Sequence, residues 1–252
     1  MRQRLILSLA AALCLAVTAS AAELTLDEII AKNVAARGGL EKIKAVQSIK
    51  YSGKMNMGGM EAPFTMSKKR PENMRVDFTI QGMTGSQAYD GSTGWMLMPF
   101  MGKKDAEPLS GDMLKDAKEQ ADFDGPFIDS AKKGYKVELL GKTEIEGSPA
   151  YKLKVTKDGD ETLVYLDADS FLEIRMEGKR KMQGQDVETE TTLGNYQEVN
   201  GMLFPYSMES KAKGQPGSQV ITVEKIEVNP VMADDLFKMP KKAEAPAAKP
   251  QQ

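Results

Sequence analysis

Hydrophobic positions along the chain follow two different periods. Near the start, Leu26, Ile29, Ile30 and Val34 fall three or four residues apart, the spacing of one helix face. Thr25 and Glu28 have capping-box spacing ahead of that face, and Leu24 with Ile29 fits a hydrophobic staple. Gly38-Gly39 stops this helix, and Leu40, Ile43 and Val46 predict a short second one. At this level, helices packed on a sheet and helices lying over a cavity are equally compatible with the pattern.

From Ser48 the period becomes two. Ile49, Tyr51, Gly53, Met55 and Met57 alternate with Lys50, Ser52, Lys54 and Asn56, the signature of a strand with one apolar face. Gly58-Gly59 turns the chain, and Ala62, Phe64 and Met66 return. After Arg70-Pro71, Met74, Val76, Phe78 and Ile80 again share a face. A short strand at Gln87 to Tyr89, the turn Asp90 to Gly94 and a strand from Trp95 to Met98 complete an antiparallel meander. Ser110 is placed to cap a helix from about Gly111 to Phe123, and Phe127 to Lys133 reads as another, stopped by Gly134. Strand patterns resume at Tyr135 to Leu140, Ala150 to Thr156, Glu161 to Leu166, Phe171 to Arg180, Gln185 to Gln197, Leu203 to Lys211 and Gln219 to Glu227. The expected class is α+β, mainly β, with about eleven or twelve antiparallel strands and short helices at the start and middle. With no linker and no repeat, residues 22–240 are expected to form one domain, and 241–252, rich in Lys, Ala and Pro, a disordered tail.

The first residues predict a destination. Met1-Arg2-Gln3-Arg4 is a positive start, Leu5 to Val17 an apolar stretch, and Ala19-Ser20-Ala21 a small-residue cleavage site. Residues 1–21 therefore read as a secretory signal peptide, cut after Ala21 with Ala22 as the neighbouring choice. Cys14 follows Leu13, where lipidation would require a small residue, so it reads as a packing residue of the signal. No later stretch of 18 apolar residues follows, so a soluble periplasmic protein is expected.

Composition narrows the chemistry. Apolar residues at 41% and charged residues at 28% suit a packed core. With no histidine and one cysteine, a Cys/His zinc site, a Ser-His-Asp triad and a disulfide framework lack their residues. The 34 basic residues are balanced by 36 acidic ones, so no basic field attracts nucleic acid. Ten of the 17 methionines lie between Met55 and Met113, many on the inward positions of the first strands. Methionine adapts to ligands of varied shape, and it also fills ordinary cores. The candidate cavity wall comprises Met55, Met57, Phe64, Met66, Met74, Val76, Phe78 and Trp95, the last equally suited to a core role. Asp122, Asp124 and Asp129 lack the ligand order of a calcium loop and read as loop and capping residues. Asp167 and Asp169 fit a hairpin turn, and the pairs Lys103-Lys104 and Lys132-Lys133 a solvated surface or a meeting point for anionic headgroups. Neither a metal nor a cofactor is expected.

Lys69-Arg70-Pro71-Glu72-Asn73-Met74 and Tyr89-Asp90-Gly91-Ser92-Thr93-Gly94-Trp95-Met96-Leu97-Met98-Pro99-Phe100 resemble the paired K-R-P and D-G-x-x-x-W-x-x-x-P segments of LolA-like periplasmic lipoprotein carriers. Gly38 to Val46, Val164 to Asp167, Asn200 to Pro205 and Asn229 to Pro240 are similar to the wider group of outer-membrane lipoprotein-sorting proteins. The resemblance implies an incomplete (half) antiparallel β-barrel, helices closing a hydrophobic cavity for acyl chains, and a non-enzymatic chaperone role. It implies acylated lipoproteins or lipids as cargo, an inner-membrane lipoprotein-releasing ABC transporter as donor and an outer-membrane receptor as acceptor. It also makes Arg70 a gate residue that hydrogen-bonds to the cover in the closed state, and matches Trp95 to the family tryptophan. The chain exceeds the minimal carrier in length, and its Met-rich strands and tail depart from the motif, leaving lipoprotein, free lipid and glycolipid open as cargo. Related folds also act as envelope-stress sensors, so a lipid-binding sensor or scaffold that engages a membrane protein is the alternative.

Overall fold

The computed structural model describes residues 23–182, 185–214 and 216–241; the expected signal peptide and nearly all of the expected tail lie outside the described residues. Two helices open the described chain, α1 (Leu26–Ala36) and α2 (Leu40–Ala45). The capping box forms as expected: the Glu28 amide donates to Thr25 Oγ1 at 3.3 Å, and the Thr25 amide to Glu28 Oε2 at 2.8 Å. Gly38, at φ 122°, makes the sharp turn between the helices, and a Cβ there would sit 2.7 Å from the Gly201 carbonyl oxygen.

Six strands follow: β1 (Ser48–Met57), β2 (Met60–Lys69), β3 (Asn73–Ile80), β4 (Met83–Asp90), β5 (Gly94–Leu97) and the two-residue β6 (Glu107–Pro108). Helix α3 (Gly111–Ala121) and an irregular loop then lead to β7 (Lys136–Ile145), β8 (Ser148–Lys157), β9 (Asp160–Asp167), β10 (Glu173–Met182), β11 (Gln185–Val199), β12 (Met202–Ala212) and β13 (Gln219–Val228). All pair antiparallel in one sheet, ordered β6-β5-β4-β3-β2-β1-β13-β12-β11-β10-β9-β8-β7. Among the described strands the only neighbours not consecutive in sequence are β1 and β13, where the two meanders join. The sheet is open, with β6 and β7 as its edges: a half-barrel.

Register fixes which side chains face inward, because directly paired residues share a face. One continuous row runs through Met55 and Ala62; the next through Gly53, Phe64, Phe78 and Gly85; then Tyr51, Met66, Val76 and Gln87; then Ile49, Lys68, Met74 and Tyr89. Across β1–β13 this face continues into Ile226 and Ile221, and on β12 into Met208. The far meander contributes Leu153, Val164 and Met176. Three buried clusters line this concave face, and all three helices lie on it: Ile29 of α1, Ile43 of α2, and Ala117 and Ala121 of α3. Helix α3 reaches β3, β4 and β5 on one side and β10 on the other, so the sheet curls around it.

Three expectations change. The described residues hold thirteen strands, the additional one being β6, which is too short to carry an alternation. Ser110 is the N-cap residue of α3 but makes no side-chain cap bond, and α3 ends at Ala121. Phe127 to Lys133 is not an α-helix: Gly125-Pro126 breaks the backbone ahead of it, Asp129 adopts φ 53°, and only Ala131–Lys133 makes a single 3₁₀ turn.

Candidate functional site

The predicted wall residues divide between two faces. Met55, Phe64, Met66, Met74, Val76 and Phe78 all project from the concave face. Met55, Phe64 and Met74 are buried, while Met66, Val76 and Phe78 are half-buried. Met57 ends the same strand, its side chain outside the description. Trp95 is elsewhere. Its register row is Ser67, Arg75, Ala88 and Trp95, one residue out of step with Lys68, Met74, Tyr89 and Gly94. It therefore lies on the convex face, 1% exposed, under a C-terminal strap. There its indole nitrogen donates to the Phe237 carbonyl at 2.8 Å, and Arg75 Nη1 to the Leu236 carbonyl at 2.9 Å. Lys69 Nζ holds the strap further along, at the Met232 carbonyl. Trp95 is a core residue of the outer layer rather than a cavity lining.

What covers the concave wall is the loop after α3. Phe127 is 4% exposed and joins the cluster of Ile29, Tyr151, Leu153 and Leu166. Its neighbour Ile128, also 4% exposed, joins the cluster of Met55, Phe64, Val223 and Ile226. Two consecutive side chains thus plug both halves of the half-barrel. Helix α1 contributes Ile29 and α2 Ile43, but α3 adds little apolar grip. Helix α3 faces inward mainly with Ala117 and Ala121, whose single methyl groups contribute about 0.8 kcal/mol each against roughly 1.5–3 kcal/mol for a buried Leu or Ile.

The plug loop is fastened by charge. Arg70, just after β2, donates from Nε to the Val46 carbonyl at 2.6 Å and from Nη2 to the Ile43 carbonyl at 3.0 Å, both at the end of α2. The same guanidinium binds Asp124 twice, Nη2 to Oδ1 at 2.5 Å and Nη1 to Oδ2 at 3.1 Å, and lies 4.4 Å over the Phe123 ring. Lys44 of α2 joins Asp124 to Asp129, 2.7 Å from each. Lys133 closes the loop on itself through Asp122 at 2.7 Å and the Gly125 carbonyl. Burial alone pulls the Asp124 carboxyl upward; hydrogen bonds from Arg70 and then Lys44 outweigh it and bring it down to about 2. Asp129 is lowered by Lys44 and Lys132.

Lys68 stands out on the inward face. It occupies the alternation slot after Ala62, Phe64 and Met66, and its Nζ donates to the Asp122 carbonyl at 2.9 Å. Burial pushes this ammonium down to about 8, against the pull of Asp122.

The sequence pointed to Arg70 through a resemblance, and the structure places its guanidinium between the end of α2 and Asp124 of the loop after α3. It missed Lys44, Lys68, Asp124, Phe127 and Ile128. Two signals were present: a lysine in phase with an apolar face, and the run Asp122 to Asp129, in which carboxylates frame apolar side chains. Among the described residues no group of carboxylates is placed to hold a metal, and no helix is long and apolar enough to cross a membrane.

No family model matches the sequence, and no curated protein matches it. Solved structures do. A domain from Vibrio parahaemolyticus described as an outer membrane lipoprotein-sorting protein superposes with a TM-score of 0.60 at 12% identity, covering 84% of this chain and 95% of that one. A DUF1329 family protein from Desulfovibrio piger gives 0.59 at 14% identity, covering 83% and 95%. A LolA superfamily protein from Nitrosomonas europaea gives 0.58 at 15% identity, covering 86% and 98%. An open antiparallel sheet with helices on its concave face is the architecture these chains share, and by fold this protein is LolA-like.

Proposed function

We propose that the protein is a periplasmic carrier that shelters acyl chains of lipoproteins or lipids on its concave face, exchanging its own plug for the cargo. The observation that carries this reading is the plug itself. Ile128 and Phe127 cover the apolar wall from a loop that is held by ion pairs and carbonyl contacts rather than by a helix of large apolar side chains. Such fastenings exchange readily for water when the loop lifts, because charged groups regain hydration outside. Each charge-assisted hydrogen bond contributes only about 1.5–3 kcal/mol net. An acyl chain of about a dozen carbons removes roughly 10 kcal/mol of unfavourable hydration when buried. Cargo of that apolar area is comparable in energy to the plug and competes with it for the wall, and loss of cargo lets the plug close. Arg70 is the gate in this reading, biasing the loop toward closure. No step requires a reacting group; binding and release suffice.

The test is purification from periplasm without detergent, followed by lipid extraction and mass spectrometry, alongside release of lipoproteins from spheroplasts. Co-purifying acyl species, lost in Phe78→Asp, support the carrier. Absence of acyl species together with failure to accept lipoprotein removes it. A stable complex with a membrane protein and no cargo would favour the sensor or scaffold instead.

A further inference from the structure

Beside the plug lies a second, chemically different space. A cavity of about 140 Å³ opens between the α1–α2 junction and strands β1, β11 and β12, lined by Ile43, Ile49, Met202 and Phe204, with Arg37, Tyr51 and Tyr196 at its wall. An engineered apolar cavity of roughly 150 Å³ holds a benzene molecule, so this one suits a headgroup rather than a whole chain.

Its polar groups are unevenly matched. Arg37, half-buried, forms no ion pair and no side-chain hydrogen bond among the described residues. Its charge is felt by three inward neighbours: it lowers Lys68 and moderates the burial-driven rise of Tyr51 and Tyr196. The Tyr51 hydroxyl makes no hydrogen bond among the described residues, and its ring packs edge-on against Phe204 at 6.3 Å. Tyr196 is satisfied, donating to the Glu173 carbonyl at 2.6 Å. Glu173 also lines the space, its charge raising Tyr196, and it forms no ion pair with Arg37 among the described residues. The position of Arg37 at the C-terminal end of α1 suits the helix dipole. That does not account for a guanidinium and a free phenol at the wall of a largely apolar pocket that runs, through Ile43 and Ile49, into the cluster holding Met55 and Phe64.

We propose that this cavity is the headgroup site for an anionic amphiphile: Arg37 and the Tyr51 hydroxyl donate to a terminal carboxylate or phosphate while the acyl chain continues onto the wall vacated by the plug. The proposal rests on the acyl-binding reading above and adds the class of ligand. Specificity follows from unpaired donors, since a neutral headgroup leaves the guanidinium without a counter-charge in a partly desolvated site.

Isothermal titration of the full processed chain with dodecanoate, dodecyl phosphate and the neutral 1-monolaurin tests it, all below their micellar concentrations. The expected result is at least tenfold tighter binding of one or both anions than of monolaurin, the tighter anion identifying the headgroup. Arg37→Gln should erase that preference and leave monolaurin binding unchanged, which also certifies the fold of the variant. Tyr51→Phe should reduce the preference by several-fold, and Glu173→Gln should enlarge it by removing a repelling charge. Equal affinity for anionic and neutral ligands in the unmodified protein, or a preference that survives Arg37→Gln, overturns the headgroup site and leaves the carrier reading standing. If none of the three ligands binds, the headgroup site falls, and the carrier reading stands or falls on lipid extraction and lipoprotein release.

Discussion

If the plug and the cargo occupy the same wall, weakening the plug should strengthen cargo binding. Ile128→Ala is the cleanest perturbation. Ile128 is 4% exposed, makes no polar contact in the latch and belongs to the cluster with Met55 and Phe64. Truncation removes three carbon groups, about 2.4 kcal/mol at roughly 0.8 kcal/mol each, before any cavity penalty. In the open form Ile128 is in solvent, so this loss falls on the closed form alone. A shift of that size in the closed–open equilibrium raises the competent fraction, and with it the apparent affinity, by up to about 50-fold, limited by how rarely the closed protein opens. The assay pairs isothermal titration with monolaurin against urea denaturation. The prediction is tighter ligand binding together with a loss of about 2–4 kcal/mol in stability. An ordinary core role predicts the same stability loss with affinity unchanged or weakened, and that outcome would refute the competition.

Arg70→Leu should leave the sheet folded, raise hydrogen exchange in α2 and residues 122–134, and slow ligand transfer to acceptor vesicles, because two charge-assisted bonds to Asp124 are lost and the bias toward closure is weakened by about 3–6 kcal/mol while Lys44 still holds Asp124; an unchanged transfer rate removes the gate. Lys68 predicts a pH dependence: its folded ammonium titrates near 8 and the unfolded one near 10.5, so between these values the unfolded chain binds more protons and stability rises with pH, by up to about 3 kcal/mol. Lys68→Met should abolish that rise in denaturation midpoints measured from pH 7.5 to 10.5, and a rise that persists places the titration elsewhere. Phe237→Ala should cost about 3–5 kcal/mol and shift the emission of Trp95, the only tryptophan, to the red, since the strap seals it on the convex face. Unchanged emission would mean the indole is sealed by something other than the strap.

The sheet was legible because alternation of apolar and polar residues reports one buried face directly, and β1 to β3 show it with Lys68 as the one charged break. The same rule placed Met55, Phe64, Met66, Met74, Val76 and Phe78 together. It failed at Trp95, because β5 is four residues long and the strap gives its outer face apolar cover too; alternation cannot say which of two buried faces a residue takes. It failed again at residues 127–133. Apolar Phe127 and Ile128 followed by a basic pair resemble a helix turn, yet their burial serves two different clusters, which needs an extended plug and not a helical face. The latch was hidden for another reason. Arg70, Lys44 and Asp124 are brought together by three separate elements, and spacing along the chain carries no trace of that meeting.

In the carrier reading, the segment carrying Ile128 leaves the wall when an acyl chain arrives. Spin labels at Lys132→Cys on the plug loop and Lys54→Cys on β1, both exposed positions, in a variant whose single Cys14 is replaced, read that motion by double electron–electron resonance. Saturating acyl ligand should move the distance distribution outward by several ångströms, with an open fraction that Ile128→Ala enlarges before any ligand is added. A distribution that stays fixed while titration shows stoichiometric binding would mean that the plug never yields the wall, contradicting the account.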